Sequence, residues 1–191
     1  MFGSLKLMLR YVALQLNRMN TDELITSFVT KLRAAGVPIR ADDNSGMLDE
    51  LEQQLPKRLP QSMEYLLSHY SFPSFDVDGI SLFAWMPDSE SNGFFGAALA
   101  KKGTLSELLL PAGYVQIGRP ATGDFDAICV DLNGKAQNRE NRIVRADHEQ
   151  ILCNWRVKIT CELWPSFRRL VASVLANENV SIYYEEEFDN H

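Results

Sequence analysis

Three carboxylates fall within eight residues, at Asp124, Asp126 and Asp131, and an imidazole follows at His148 inside Asp147-His148-Glu149. Carboxylates at this density could hold a cation through oxygen ligands, or could work with His148 as the acid and base of a small hydrolase. The plainer reading is that Asp124 shapes a turn with Gly123, Asp126 points to solvent, and Asp131 ends a strand before Asn133-Gly134. Spacing argues against a metalloprotease helix, because Leu152 stands where His-Glu-x-x-His needs its second histidine. His69 and His191 are isolated in sequence, so no metal is expected. The chain also lacks Gly-x-x-x-x-Gly-Lys, Gly-x-Ser-x-Gly and Gly-x-Gly-x-x-Gly, so neither a cofactor nor a catalytic residue is expected. Cys129, Cys153 and Cys161, spaced by 24 and 8, form neither a disulfide framework nor a zinc pattern, and Cys129 in Ala127-Ile128-Cys129-Val130 reads as a small buried hydrophobe.

The elements that must position these groups are legible in part. Ser4 can cap a helix running to about Met19, with apolar residues at 5, 8, 9, 12 and 16. That helix reads as packed on the core, although a membrane-surface role, or a native start nearer Met19, would also fit. Thr21-Asp22-Glu23 supplies the next cap, and Leu24, Ile25, Phe28, Val29 and Leu32 recur at helical spacing until Ala35-Gly36-Val37-Pro38. A polar stretch at 40–46 suggests a boundary. A short helix over Met47–Leu55 follows, and another opens at Leu59-Pro60 with Met63, Leu66, Leu67 and Tyr70 as its buried face. Beyond residue 70 the pattern turns to strands, over Ile80–Trp85, Tyr114–Ile117, Asp126–Leu132 and Arg142–Arg145. A short helix is expected at Thr104–Leu110, and a closing amphipathic helix begins near Pro165-Ser166.

The chain has 191 residues, 19 Lys plus Arg against 25 Asp plus Glu, and a formal charge of −6. A chain of this size buries about 70% of its unfolded surface, enough for one core without staples. Its acidic balance speaks against nucleic-acid binding, which rests on neutralising phosphates, and favours a basic partner. No apolar stretch approaches the roughly 20 residues of a membrane span, and the reduced cysteines and lack of a cleavage signal suggest the cytoplasm. The expected partner face gathers Asp76, Asp78, Asp124, Asp126 and Asp131 at strand ends and loops, with Phe72 and Phe75 as aromatic anchors. Trp85, Phe83, Phe94 and Phe95 read as core.

The order of elements resembles a known family. Leu51-Glu52, Leu55, Leu59-Pro60, then Tyr65-Leu66-Leu67 and Tyr70 are similar to the helix-Leu-Pro-helix opening of the SMI1/KNR4 family, the SUKH superfamily. So are Tyr114-Val115-Gln116-Ile117-Gly118 before Gly123-Asp124 and Ile128-Cys129-Val130-Asp131, then Ile143-Val144 leading to Asp147-His148-Glu149, and the closing Ser166-Phe167-x-x-Leu170. The resemblance spans about residues 46–175. It departs at Ser71-Phe72-Pro73-Ser74-Phe75, where the family usually places Asn-Gly, and it does not cover the first 40 residues. It implies an α+β fold, a mostly antiparallel sheet packed against helices, here with an N-terminal helical extension. The domains would be an extension over 1–40, a SUKH-like domain over 41–176 and an acidic tail over 177–191. It also implies a non-enzymatic role: an immunity protein that neutralises a bacterial polymorphic toxin, many of them nucleases, by stoichiometric binding. A regulatory scaffold like the fungal members, or a small hydrolase using Asp124, Asp126 and His148, are the alternatives. The oligomeric state stays open.

Overall fold

Asn20, one residue ahead of Thr21-Asp22-Glu23, starts the first helix. Its side chain accepts from the Glu23 backbone N–H at 2.8 Å, and the Glu23 carboxylate accepts from the Asn20 N–H at 3.3 Å. This reciprocal capping satisfies two donors that a helix start leaves open. The resulting helix α1 (Thr21–Ala34) buries Leu24, Ile25, Phe28, Val29 and Leu32 along one stripe. The computed structural model describes residues 19–86, 93–99, 101–134 and 140–177. The helix expected from Ser4 and, beyond Asn177, the acidic tail lie outside those residues.

Helices α2 (Ser45–Glu52) and α3 (Gln61–His69) follow. Pro60 is the residue before α3 rather than its first member, a shift of one position from the expected start. Two-residue strands β1 (Arg40–Ala41) and β2 (Tyr70–Ser71) pair with each other. The main sheet has six strands, all antiparallel, in sequence order: β3 (Phe75–Val77), β4 (Ile80–Leu82), β5 (Tyr114–Pro120), β6 (Ala127–Asp131), β7 (Ile143–Ala146) and β8 (Ile159–Trp164). Short helices α4 (Phe94–Ala98), α5 (Ser106–Leu109) and α6 (His148–Asn154) lie between strands. Helix α7 (Phe167–Ala176) closes the described chain, capped by the Ser166 hydroxyl accepting from the Arg169 N–H at 3.0 Å. The architecture is α+β, with an antiparallel sheet packed against helices, the fold class that the resemblance implies.

Strands β6 and β7 are buried on both sides, which is why Ala-Ile-Cys-Val shows no polar alternation. Ile128, Val130 and Ile143 enter the larger core with residues of α1, α2, α3 and α7. Ala127, Cys129, Val144 and Ala146 enter a smaller one with Leu109 of α5 and Ile151 of α6. Helix α1 is therefore part of the principal core. Gly118 permits the close approach of β5 to β4, since a Cβ there would sit 2.4 Å from the Ser81 carbonyl oxygen. Glu140 joins helices to the sheet region by a different route: its carboxylate accepts from the Ser62 N–H at 3.0 Å and the Arg168 N–H at 3.2 Å, satisfying the first turns of α3 and α7 together. Among the described residues, no helix is long and apolar enough to cross a membrane.

Candidate functional site

The register of β6 against β7 sets Ala127 opposite Ala146, so Asp126 arrives beside the start of α6. One Asp126 oxygen, Oδ1, accepts from the His148 backbone N–H at 2.9 Å and stands 2.7 Å from His148 Nδ1. Because the carboxylate only accepts, Nδ1 carries the proton in that contact. The other oxygen, Oδ2, accepts from Arg145 Nε at 2.6 Å. The same guanidinium reaches Asp124 through Nη2, forking across both carboxylates. Gly123, at φ +89°, makes the turn that brings Asp124 in, and Asp124 Oδ1 accepts from the Asp126 N–H at 3.1 Å.

Asp124, Asp126 and His148 thus converge, with one ligand atom from each lying within 4.8 Å of the others. Burial pushes the Asp126 carboxyl up, but hydrogen bonds from the His148 backbone and ring and from Arg145 outweigh it, and its pKa falls below the ordinary carboxylate value. The expectation that Asp126 points to solvent is corrected: it is buried, and its two oxygens accept from three donors that offset the cost of burying the charge. The cluster offers a cation or a proton-transfer step the right atoms, yet Arg145 already occupies one oxygen of each carboxylate. It acts chemically as a clasp joining the entry of β6, strand β7 and the first turn of α6.

The other residues expected on a partner face divide. Asp131 is fully buried; it accepts from Arg142 Nε at 2.7 Å and from the Asn133 N–H at 2.9 Å, and is withdrawn from any partner. Phe72 and Phe75 are likewise core, packed edge to face with ring centroids 5.5 Å apart, while Phe72 bridges to Trp85 through paired backbone hydrogen bonds. Pro73-Ser74 disguises this as a loop, but the aromatic pair is what holds the segment down. Asp76 is exposed on edge strand β3, where partner contact remains open to it. Asp78 is half-buried, in the left-handed region at φ 46°, and accepts from the Ser173 hydroxyl at 3.3 Å. Cys129 is fully buried and its thiol pKa is pushed far up, first by burial and then by Asp131, so it is no nucleophile. Trp85 and Phe94 are core as expected.

Two surfaces emerge that spacing along the chain does not announce. The first is an open groove of about 320 Å³ between the start of α1, helix α2 and helix α3, lined by Asp22, Asp49, Glu52, Glu64, Arg58 and Tyr65 among others. Four carboxylates face one guanidinium there, and that one, Arg58, lies 3.5 Å from Glu52. Tyr65, which lines the groove, stacks on His69 with ring centroids 4.1 Å apart. The only sequence signal is that these acids recur on the solvent side of three helices whose buried stripes are plain. The second surface is apolar: Leu152 of α6, Trp155 at its end and Phe125, whose ring centroid lies 6.0 Å from that of His148, are 55%, 68% and 65% exposed. In comparison with known proteins, the chain matches no protein-family model and no curated protein.

Proposed function

We propose that the chain is a non-enzymatic, stoichiometric protein-binding domain of the SUKH type, an immunity protein that takes the basic face of a toxin domain into the groove between α1, α2 and α3. The observation that carries the reading is the groove's lining: Asp22, Asp49, Glu52 and Glu64 are acidic and Arg58 is basic, with Asp22 and Asp49 exposed while Glu52 is held by Arg58 and the Leu59 N–H. Such a concave acidic field attracts a basic protein and raises its rate of encounter, while the aromatic face of Tyr65 suits an inserted lysine or arginine. The −6 charge of the whole chain and the resemblance of residues 46–175 to SUKH domains support the same conclusion. The partner face therefore moves from the strand-end aspartates to the helical side of the sheet. Blocking is steric and electrostatic, with no turnover.

The test is co-expression with the product of the adjacent gene. A 1:1 complex that survives purification, and a neighbour toxic when expressed alone, are the expected results; no complex and a harmless neighbour would sink the reading. Asp22→Asn combined with Asp49→Asn should weaken the complex, since both side chains are exposed and neither sits in the core.

A second reading, a small hydrolase, draws on the convergence of Asp124, Asp126 and His148. Asp126 would position the imidazole of His148 as a general base. Against it, Arg145 neutralises both carboxylates, and a structural clasp accounts for every contact observed. Turnover of any ester, phosphoester or glycoside that disappears in His148→Ala would decide for the hydrolase.

A further inference from the structure

Leu152 on α6, Trp155 at its C-terminal end and Phe125 just before β6 are exposed large apolar side chains. His148, Leu152 and Trp155 follow one another at four and three residues, the spacing that shares one face of a helix. The Phe125 ring joins them, its centroid 6.0 Å from that of the His148 imidazole. Trp155 ends α6 in the left-handed region, at φ 51° and ψ 38°, with the Arg156 N–H donating to the Gln150 carbonyl at 3.1 Å. That terminal position is the one where glycine is normally found. A large aromatic held in a strained backbone conformation and presented to water is a sign of a surface used for contact.

The charges around the stripe say what the contact is. Glu149 is exposed on the N-terminal side of Leu152, and Arg156 is exposed on its C-terminal side. Lys158, further on, leans back to Asp147 of its own chain at 3.9 Å. A uniformly basic partner would meet Arg156 and a uniformly acidic one would meet Glu149, so neither is complementary to the whole stripe. An inverted copy of the same stripe is complementary. The geometry points to self-association: α6 packs antiparallel on α6 of a second copy, about a two-fold axis beside Leu152 and Cys153. Each Glu149 then faces the partner's Arg156, once on either side of an apolar centre made by Leu152, Trp155 and Phe125 from both chains. Two-fold contacts of this kind require a patch that complements itself, and a polar stripe reversed end to end does so.

This dimer is independent of the groove, which is built by α1, α2 and α3 on the other side of the sheet, so either proposal can fail without the other. Sedimentation of the full chain from about 1 µM to about 300 µM should show a monomer–dimer equilibrium in the micromolar range, in keeping with a small interface. Leu152→Glu should give a monomer throughout, with an unchanged unfolding transition. Glu149→Arg alone and Arg156→Glu alone should each weaken the dimer about ten-fold by setting like charges together, and the two substitutions combined should restore it. A wild-type chain that stays monomeric over the whole range would assign the face to some other occupant and overturn the proposal. So would a dimer indifferent to Leu152→Glu, or a double swap no better than the single ones.

Discussion

The two sides of the six-stranded sheet are finished differently. On one, α1, α2, α3 and α7 cover the strands, and the core they share includes Phe28, Leu51, Leu59, Leu67, Trp85, Phe94 and Phe167. On the other, α5 and α6 supply Leu109 and Ile151 to a core that otherwise consists of sheet residues such as Ala127, Cys129 and Val144. The covered side carries a polar groove made by helices that are already anchored. The sparse side leaves Phe125, Leu152 and Trp155 to solvent and relies on an ion-pair clasp, Asp124 and Asp126 with Arg145 and His148, to fix α6 in place. Burial sets the stability of the first side, whereas polar geometry sets the position of the helix on the second.

Substitutions should separate these two sources of order. Phe28→Ala, in the covered core, should destabilise the chain by about 4 kcal/mol through lost burial and a cavity, read from urea unfolding. A loss under about 1 kcal/mol would mean that α1 is not integral to that core. Arg145→Ala should cost about 3 kcal/mol, because it strands the buried Asp126 carboxylate without its charge partner. Arg145→Lys should recover only part of this, since an ammonium cannot fork across Asp124 and Asp126 together.

The clasp also has a pH signature. The depressed pKa of Asp126 means that the unfolded chain binds the proton more readily than the folded one. Stability from this group is therefore present above the ordinary carboxylate value near pH 4, and is lost as pH falls through the lower folded value. Asp126→Asn should flatten the unfolding midpoint against pH in that acid range relative to wild type; parallel curves would show that Asp126 is not the titrating clasp. The smallest change has the opposite sign. Trp155→Gly should stabilise the isolated chain by about 1 kcal/mol in dilute solution, by relieving a left-handed conformation that glycine adopts freely. A clear destabilisation would show that Trp155 packs to the benefit of the monomer.

What could be read from the residues alone follows the range of the interaction involved. Helices α1 and α7 announce themselves because their apolar stripes and caps are local; even the cap of α1 is misplaced by just one residue, at Asn20 instead of Thr21. Strands β5, β6 and β7 are equally plain as β-branched runs between turns. Strands β1, β2, β3 and β8 are the quiet ones: the first three are two or three residues long, and β8 is an edge strand whose Ile159-Thr160-Cys161-Glu162 alternation is short and half polar. The clasp joins residues 19 to 22 positions apart, and only the β6–β7 register makes Arg145 and His148 neighbours of Asp126. No spacing rule encodes that register, which is why Asp126 reads as a solvent-facing acid in the sequence. The groove is harder still, because it depends on how three helices lean on one another. Trp155 runs against propensity: a helix stop is normally sought at glycine or asparagine, and here tryptophan takes the left-handed position beside Asn154.

The central claim is that the acidic groove binds a basic protein one to one. Titration calorimetry of the full chain with the product of the adjacent gene tests this most directly, using wild type and the Asp22→Asn, Asp49→Asn double variant. A stoichiometry of one is predicted, with affinity falling at least about ten-fold in the double variant and falling again with added salt. Equal affinity of wild type and variant, insensitive to salt, would contradict the account.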